Sequence, residues 1–557
     1  MRVVRSVLGV LLALIGLLVG LAGAAAAFWL IGPDDTVKSG DQHLTSKGLA
    51  IASSPDLLDR HGPVLHVEAR SSDGKPIFVG VARDFDVASY LKGFAHTSLV
   101  QVQYPIALTT QEKKGAAGPL TAPATLDWWV AKANGTGSQS IAWPISDGPY
   151  DVVVMSADGK TAPDVQVDLG IEIPHAFLTA LGVFVAGLLL VAIGILLLLF
   201  RRRRPTSPQP VFAPYVHGQP VQGPPTQAPT GSVRRVAVIG VALSLVTGCS
   251  AIPQRDTVES LTRPAVSNET AAAVVKHYNE VNNAANRRRD DKLIATIEAG
   301  TVVRESQAGY AISRTLDKSG KDLIKPFTYT KPVVGAPNYG TYPMHFVVSA
   351  GISDTKDYRY LGVWERTTAG SPWMLTFAAA PAAAAKVPDI TGLHPVTNAD
   401  AKRLAAAPQA ASTALAEYLT VGAKSPRAAS FTPNADVTKL LATVADWHST
   451  AAKQPKIYQH VSDQFTIATP PTAFVTKSGA ALVFATVTED FKLDIGTNYS
   501  FNWSSGDPIG FSPATVKYQN ALTRTTLHDA VLLVPAKGAG KITLLSFESQ
   551  LIDAGGY

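Results

Sequence analysis

The run AFLTALGVFVAGLLLVAIGILLLLF, residues 176–200, carries no charged side chain and ends against Arg201-Arg202-Arg203-Arg204. As a helix it would extend about 37 Å, more than a hydrocarbon core of about 30 Å requires. Arginines immediately after such a run stay on the cytoplasmic side. This predicts a transmembrane helix over 176–200 and places the residues before it outside the cytoplasmic membrane.

Towards the N-terminus a second apolar run, 6–31, is preceded by Arg2 and Arg5 and followed by Pro33, Asp34 and Asp35. It too is long enough to span, at about 39 Å. The Ala24–Ala27 tract would suit a signal peptidase, which is the competing reading. Phe28, Trp29, Leu30 and Ile31 lengthen the run and set an aromatic at the far interface, which favours a retained helix. Two opposed helices put residues 1–5 inside, 33–175 outside and 201–235 inside.

A third run, 236–248, would reach only about 20 Å. Read with Arg234 and Arg235 before it and Val246-Thr247-Gly248-Cys249 at its end, residues 234–249 resemble a bacterial lipoprotein signal peptide with its lipobox. That resemblance implies a lipid on the Cys249 thiol and cleavage just before it. Such signals ordinarily open a protein, so the position implies a fusion of a membrane protein with a lipoprotein. The alternative is a third membrane segment, and in either case the chain beyond lies outside. Cys249 is the single cysteine, which excludes an intramolecular disulfide framework and a multi-cysteine zinc site.

The formal charge of +6 would ordinarily suggest nucleic acid, but Arg201–Arg204, Arg234 and Arg235 are clustered at membrane ends. They report topology. The expected partners are the membrane and an envelope protein or cell-wall component, with no nucleic acid. Residues 201–233 are rich in proline and glutamine and read as a disordered cytoplasmic linker.

Residues 36–172 alternate short apolar runs with Asp73-Gly74, Asn134-Gly135 and Asp158-Gly159, each a hairpin signal. About eight strands and one short helix, over 87–92, predict an external all-β sandwich. Trp128 and Trp129 are the candidate binding aromatics, because neighbours on a strand face opposite ways and one should be core and the other exposed or at a rim. His66 and His96 are isolated and read as structural. Residues 1–204 resemble uncharacterised two-helix membrane proteins of actinobacteria, through Gly-Pro-Asp-Asp at 32–35, Pro-Ile-Phe-Val-Gly-Val within 76–81, Leu126-Asp127-Trp128-Trp129-Val130 and the stretch 147–159. That family implies a location and supplies no activity.

Beyond residue 257 the period changes. Helical spacing over 269–289 is followed by strand-like runs at 345–350, 360–366 and 373–378. The order recurs as helices at 410–419 and 437–448, then strands at 481–488, 516–518, 530–534 and 542–548. Two external α+β units, 257–385 and 395–557, are expected, and each loosely resembles the cone-shaped nuclear-transport-factor-like fold. That resemblance implies a pocket and, in some members, a buried aspartate base. Asp354, Asp357 and His345 lie near strands, but their spacing singles out none of them. No catalytic residue, metal ligand or cofactor is assigned. The expected function is a non-enzymatic cell-envelope protein presenting external interaction or ligand-binding domains. The alternative is a small-ligand carrier or enzyme built on a C-terminal pocket, which an inward carboxylate with a raised pKa would favour.

Overall fold

The computed structural model describes residues 2–58, 62–103, 107–199 and 261–557. The expected linker, Arg201–Arg204, Arg234, Arg235 and Cys249 with the lipobox expected there lie outside the described residues. The N-terminal region contains helices α1 (Arg2–Ala25), α2 (Asp84–Leu91) and α3 (Ala176–Leu199). Two helical segments, Val4–Ile31 and Ala176–Leu199, are long and apolar enough to cross a membrane, with mean hydropathies of 2.6 and 3.0. They indicate membrane association. The first is α1 extended by a π-helical turn over Ala26–Ile31, stopped at Gly32 with φ 74°.

The pair runs antiparallel with backbones in contact. A Cβ added to Gly16 would stand 2.7 Å from the Val191 nitrogen, and one on Gly187 would stand 2.3 Å from the Gly20 nitrogen. Hydrocarbon gives no hydrophobic drive for two apolar helices to associate, so close small-residue packing must hold them. Where they leave this contact, Asp35 caps α3: its carboxylate accepts from the backbone N–H of His175 at 3.1 Å and of Phe177 at 2.8 Å.

Between α1 and α3 lies a β-sandwich. Its strands are β1 (Thr36–Lys38), β2 (Gln42–Thr45), β3 (Ala50–Ser53), β4 (Val64–Ser71), β5 (Ile77–Arg83) and β6 (His96–Gln103). They continue as β7 (Ala107–Lys113), β8 (Ala131–Gly135), β9 (Ser138–Pro144), β10 (Tyr150–Ser156) and β11 (Asp164–Glu172). One sheet is ordered β1-β11-β4-β9 with β2 also on β11, and the other β7-β6-β3-β10-β5-β8. The three turn dipeptides do not close hairpins. Each joins consecutive strands that belong to opposite sheets: β4 to β5, β8 to β9 and β10 to β11. A Gly at positive φ reverses the chain equally well across a sandwich as within a sheet, so the local signal fixes the turn and leaves the pairing open.

The C-terminal region opens with β12 (Arg263–Pro264), α4 (Asn268–Arg288), α5 (Asp291–Ile294) and α6 (Gly300–Leu316). An antiparallel sheet follows, formed by β13 (Tyr329–Gly335), β15 (Met344–Ile352), β16 (Thr355–Arg366) and β17 (Met374–Ala379), while β14 (Asn338–Tyr339) pairs with β12. Then come β18 (His394–Pro395), α7 (Asn398–Arg403), α8 (Pro408–Val421) and α9 (Ala435–Lys453). The last sheet contains β18, β19 (Tyr458–Ile467), β20 (Thr472–Val475), β21 (Ala481–Ile495), β22 (Ala521–Val534) and β23 (Thr543–Gly556). Residues 516–518, expected as a strand, contribute only an isolated bridge from Tyr518 to Phe501.

The two α+β halves are not independent beads. Val347, Leu361, Val363 and Phe377 of the first sheet share one core with Phe474, Phe484 and Val531 of the second, and the Phe377 and Phe484 rings lie 5.2 Å apart. Burial of that common face makes the two sheets mutually dependent.

The sandwich also docks on this region. Asp86 on α2, 0% exposed, receives Arg263 in a bidentate pair at 3.0 and 2.9 Å and the Tyr342 hydroxyl at 2.8 Å. Arg366 donates to Asp127 at 2.6 Å and lies 4.7 Å from the centre of the Trp373 ring. Trp128 and Trp129 both belong to this side of the sandwich and both are buried, 3% and 9% exposed. The segment that carries them is not a strand, so the alternation that would have exposed one ring does not apply. Trp128 Nε1 donates to the Ala369 carbonyl at 2.9 Å and Trp129 Nε1 to the Pro123 carbonyl at 2.9 Å.

Candidate functional site

A cavity of about 500 Å³ lies where α4 and α6 meet β22 and β23. Helix α4 turns Tyr278, Asn282 and Asn286 towards it at four-residue spacing, which keeps them on one face. Helix α6 contributes Val302, Glu305, Ser306 and Tyr310, while Asp529 and Glu548, opposite one another in the β22–β23 register, come from the sheet. Glu298, just ahead of α6, closes the set.

Five carboxyl groups therefore line one cavity, Glu298, Glu305, Asp529 and Glu548 together with the exposed Asp322. Glu298 is 3% exposed; its Oε1 accepts from the Tyr278 hydroxyl at 2.7 Å, and its enclosed Oε2 has no hydrogen-bond partner. Burial pushes its pKa up to about 7, although Tyr278 and the nearby Ser306 hydroxyl favour the charged form. Glu305 and Asp529 are close enough to share a proton. Burial raises both, and the charge of Asp529 raises Glu305 further. Asp529 Oδ1 accepts from Thr486 at 2.6 Å, and Glu548 Oε1 from the Ala380 N–H at 2.6 Å.

The one cation in the lining, Arg289, leaves α4 in the left-handed conformation at φ 52° and is tied to Asp317 at 2.9 Å. Its Nε remains buried without a partner. Among the described residues no three His, Cys, Asp or Glu side chains are disposed to hold one metal ion. The carboxyls are distributed over the cavity wall rather than converging on a point.

The opposite face of the same strands holds a polar ladder. Ser549 Oγ is 2.7 Å from His528 Nδ1, and His528 Nε2 is 3.0 Å from Glu489 Oε2. Burial opposes ionisation of Glu489, but the His528 hydrogen bond and the Arg524 charge hold it at about 2. The imidazole is sealed by Phe465 and Phe547, with ring centres 5.5 and 5.4 Å away. Ser549, on edge strand β23, is exposed and reaches the cavity rim.

The residues singled out from sequence lie elsewhere. Asp354 and Asp357 are exposed, and His345 is half-buried against Glu365 at 3.1 Å. His66 meets Glu172 at 2.8 Å and His96 the Phe94 carbonyl at 3.0 Å. At the end of α4 Arg287 and Arg288 are exposed, but Arg289 turns into the cavity. Glu298, Glu305, Asp529 and Glu548 were not anticipated. Glu298 and Glu305 are separated from Asp529 and Glu548 by more than 200 residues of chain, and no local pattern joins the two pairs.

A family model described as Domain of unknown function (DUF8094) matches residues 262–556, more than half of the chain. It spans both α+β halves and hence every carboxylate of the cavity. No curated protein and no solved structure matches the chain.

Proposed function

The chain belongs to the DUF8094 family, a membership that assigns no chemistry, and from its cavity we propose a membrane-anchored binding protein for small organic cations. The observation that carries this reading is the buried, unpaired Oε2 of Glu298 in a cavity shared with Glu305, Asp529 and Glu548. A buried carboxylate is costly unless paired, and an ammonium or guanidinium ligand would supply the missing partner. Spread carboxyls suit a ligand with several separated N–H donors better than a compact metal ion. Tyr278 and Tyr310 add ring faces that attract a cation.

Location enters the proposal through the docking of the sandwich on the DUF8094 region. Domains joined by a buried ion pair lie on one side of a bilayer, so a chain that crosses through α3 must return before Leu261. The 234–249 segment is the candidate for that return, as a lipidated N-terminus at Cys249 or as a third span. The positive charges at 201–204 orient both domains outward. A lipid-modified peptide beginning at Cys249, lost in Cys249→Ala, would support the lipoprotein form; an intact unmodified chain would sink it. The helix-then-sheet order of each half is also the basis for the nuclear-transport-factor-like reading of the fold.

The binding test uses the full chain in detergent, titrated with putrescine, spermidine and choline, with glutarate as an anionic control. Cations should raise the thermal midpoint, more at pH 8 than at pH 5.5, because protons on the raised carboxyls compete with the ligand. Stabilisation by glutarate, or by none of the cations, would refute the reading. A second reading, hydrolysis through Ser549, rests on the Ser549–His528–Glu489 connectivity. Labelling of Ser549 by a fluorophosphonate would favour it over binding alone.

A further inference from the structure

A second cavity, of about 460 Å³, lies between the sheets of the sandwich, outside the DUF8094 region and remote in character from the carboxylate site. Of its sixteen lining residues thirteen are Val, Leu or Ile, and Lys38 is the single charged one. Protein interiors pack without voids much larger than a water molecule, and a cavity of this composition favours hydrocarbon over water. Its size is about three times the ~150 Å³ that accommodates a benzene, which corresponds to a ligand of roughly 15 to 18 carbons.

The position of the cavity argues for the source. It follows β11 from Val167 to Ile171, a depth of about 13 Å at 3.3 Å per residue. Ile171 is separated from the first residue of α3 by four residues, and Val37 follows the end of the first membrane segment by six. Val67, Val167, Ile51 and Leu65 are buried, whereas Val37, Leu169 and Ile171, on the strands that join the membrane helices, are partly exposed. Lys38, held to Asp34 at 2.9 Å, supplies an ammonium beside that opening, where a lipid phosphate would meet it.

We propose that this cavity takes one acyl chain of a bilayer phospholipid, drawn in beside the helix exits. The energetic logic is exchange of one hydrocarbon environment for another, with the headgroup left at Lys38 and Ser39, so no polar group need be buried.

The test uses the full chain in vesicles of phosphatidylethanolamine and phosphatidylglycerol, doped with a phospholipid bearing a diazirine at the end of one acyl chain. After irradiation, adducts should map to inward residues of β4, β10 and β11 as well as to α1 and α3. Adducts confined to α1 and α3 would overturn the proposal. In Val67→Phe/Val154→Phe, which fills the cavity, sandwich labelling should fall at least about tenfold while helix labelling is unchanged. Undiminished sandwich labelling would equally overturn it. Should that variant misfold, the wild-type map decides alone.

Discussion

Replacing Glu298 with Gln tests the carboxylate cavity most directly, because the two side chains have one shape and differ in charge. The amide oxygen still accepts from Tyr278, and the amide nitrogen occupies the site of Oε2, which has no partner in either protein. A carboxyl whose folded pKa is raised gives its full stabilisation below the unfolded value and loses it as pH rises through the folded one. For Glu298 that window runs from 4.5 to about 7. At 1.36 kcal/mol per pKa unit, the loss approaches roughly 3 kcal/mol by pH 8. Glu298→Gln has no such loss. It should match the wild type near pH 4.5 and exceed it at pH 8, by several degrees in thermal midpoint, measured on the full chain in detergent. The same variant should bind spermidine more weakly at pH 8, gaining stability while losing function, as expected of a group retained for a ligand. A variant equally destabilised at both pH values would refute the reasoning, since Glu298 would then be an ordinary, satisfied carboxylate.

Three further outcomes follow from other parts of the molecule. Asp86→Ala strands Arg263 in a buried site and should cost about 3–5 kcal/mol, seen as rapid proteolysis between the sandwich and the DUF8094 region; Asp86→Leu/Arg263→Met should recover much of that resistance. Gly187→Leu places a side chain against the Gly20 backbone and should separate α1 from α3, measured as lost crosslinking between cysteines introduced in place of Phe28 and Phe177, whose ring centres lie 6.0 Å apart; preserved crosslinking would mean the helices meet otherwise. Asp35→Ala removes the cap of α3 and should lower stability by about 1 kcal/mol, with hydrogen exchange rising at Phe177.

What could be read in advance was whatever repeats along the chain. The membrane runs 6–31 and 176–200 nearly coincide with the spans found, and the helix expected over 269–289 is α4. The edges of β15, β16 and β17 fall within a few residues of their apolar runs. Helix α6 was missed for a reason tied to the site. Glu305, Ser306 and Ser313 occupy the face that lines the cavity, so they interrupt the apolar stripe by which an amphipathic helix is recognised. The sandwich was legible as alternating strands, but pairing across two sheets depends on contacts that no turn dipeptide encodes. Trp128 was noticed, yet its partner is Ala369 of the same chain, a contact too distant in sequence to infer.

Docking through Asp86 also imposes an order on biogenesis. At synthesis rates of roughly 5–20 residues per second, Asp127 and Trp128 emerge some tens of seconds before Arg366 and Ala369 exist to receive them, and Asp86 likewise waits for Arg263. During that interval the nascent sandwich presents Trp128, Tyr90 and a solvated Asp86 on an unfinished face. Maturation therefore ends with an assembly step rather than with closure of the sandwich. A chaperone or translocation partner that shields this face would act before the carboxylate cavity is complete.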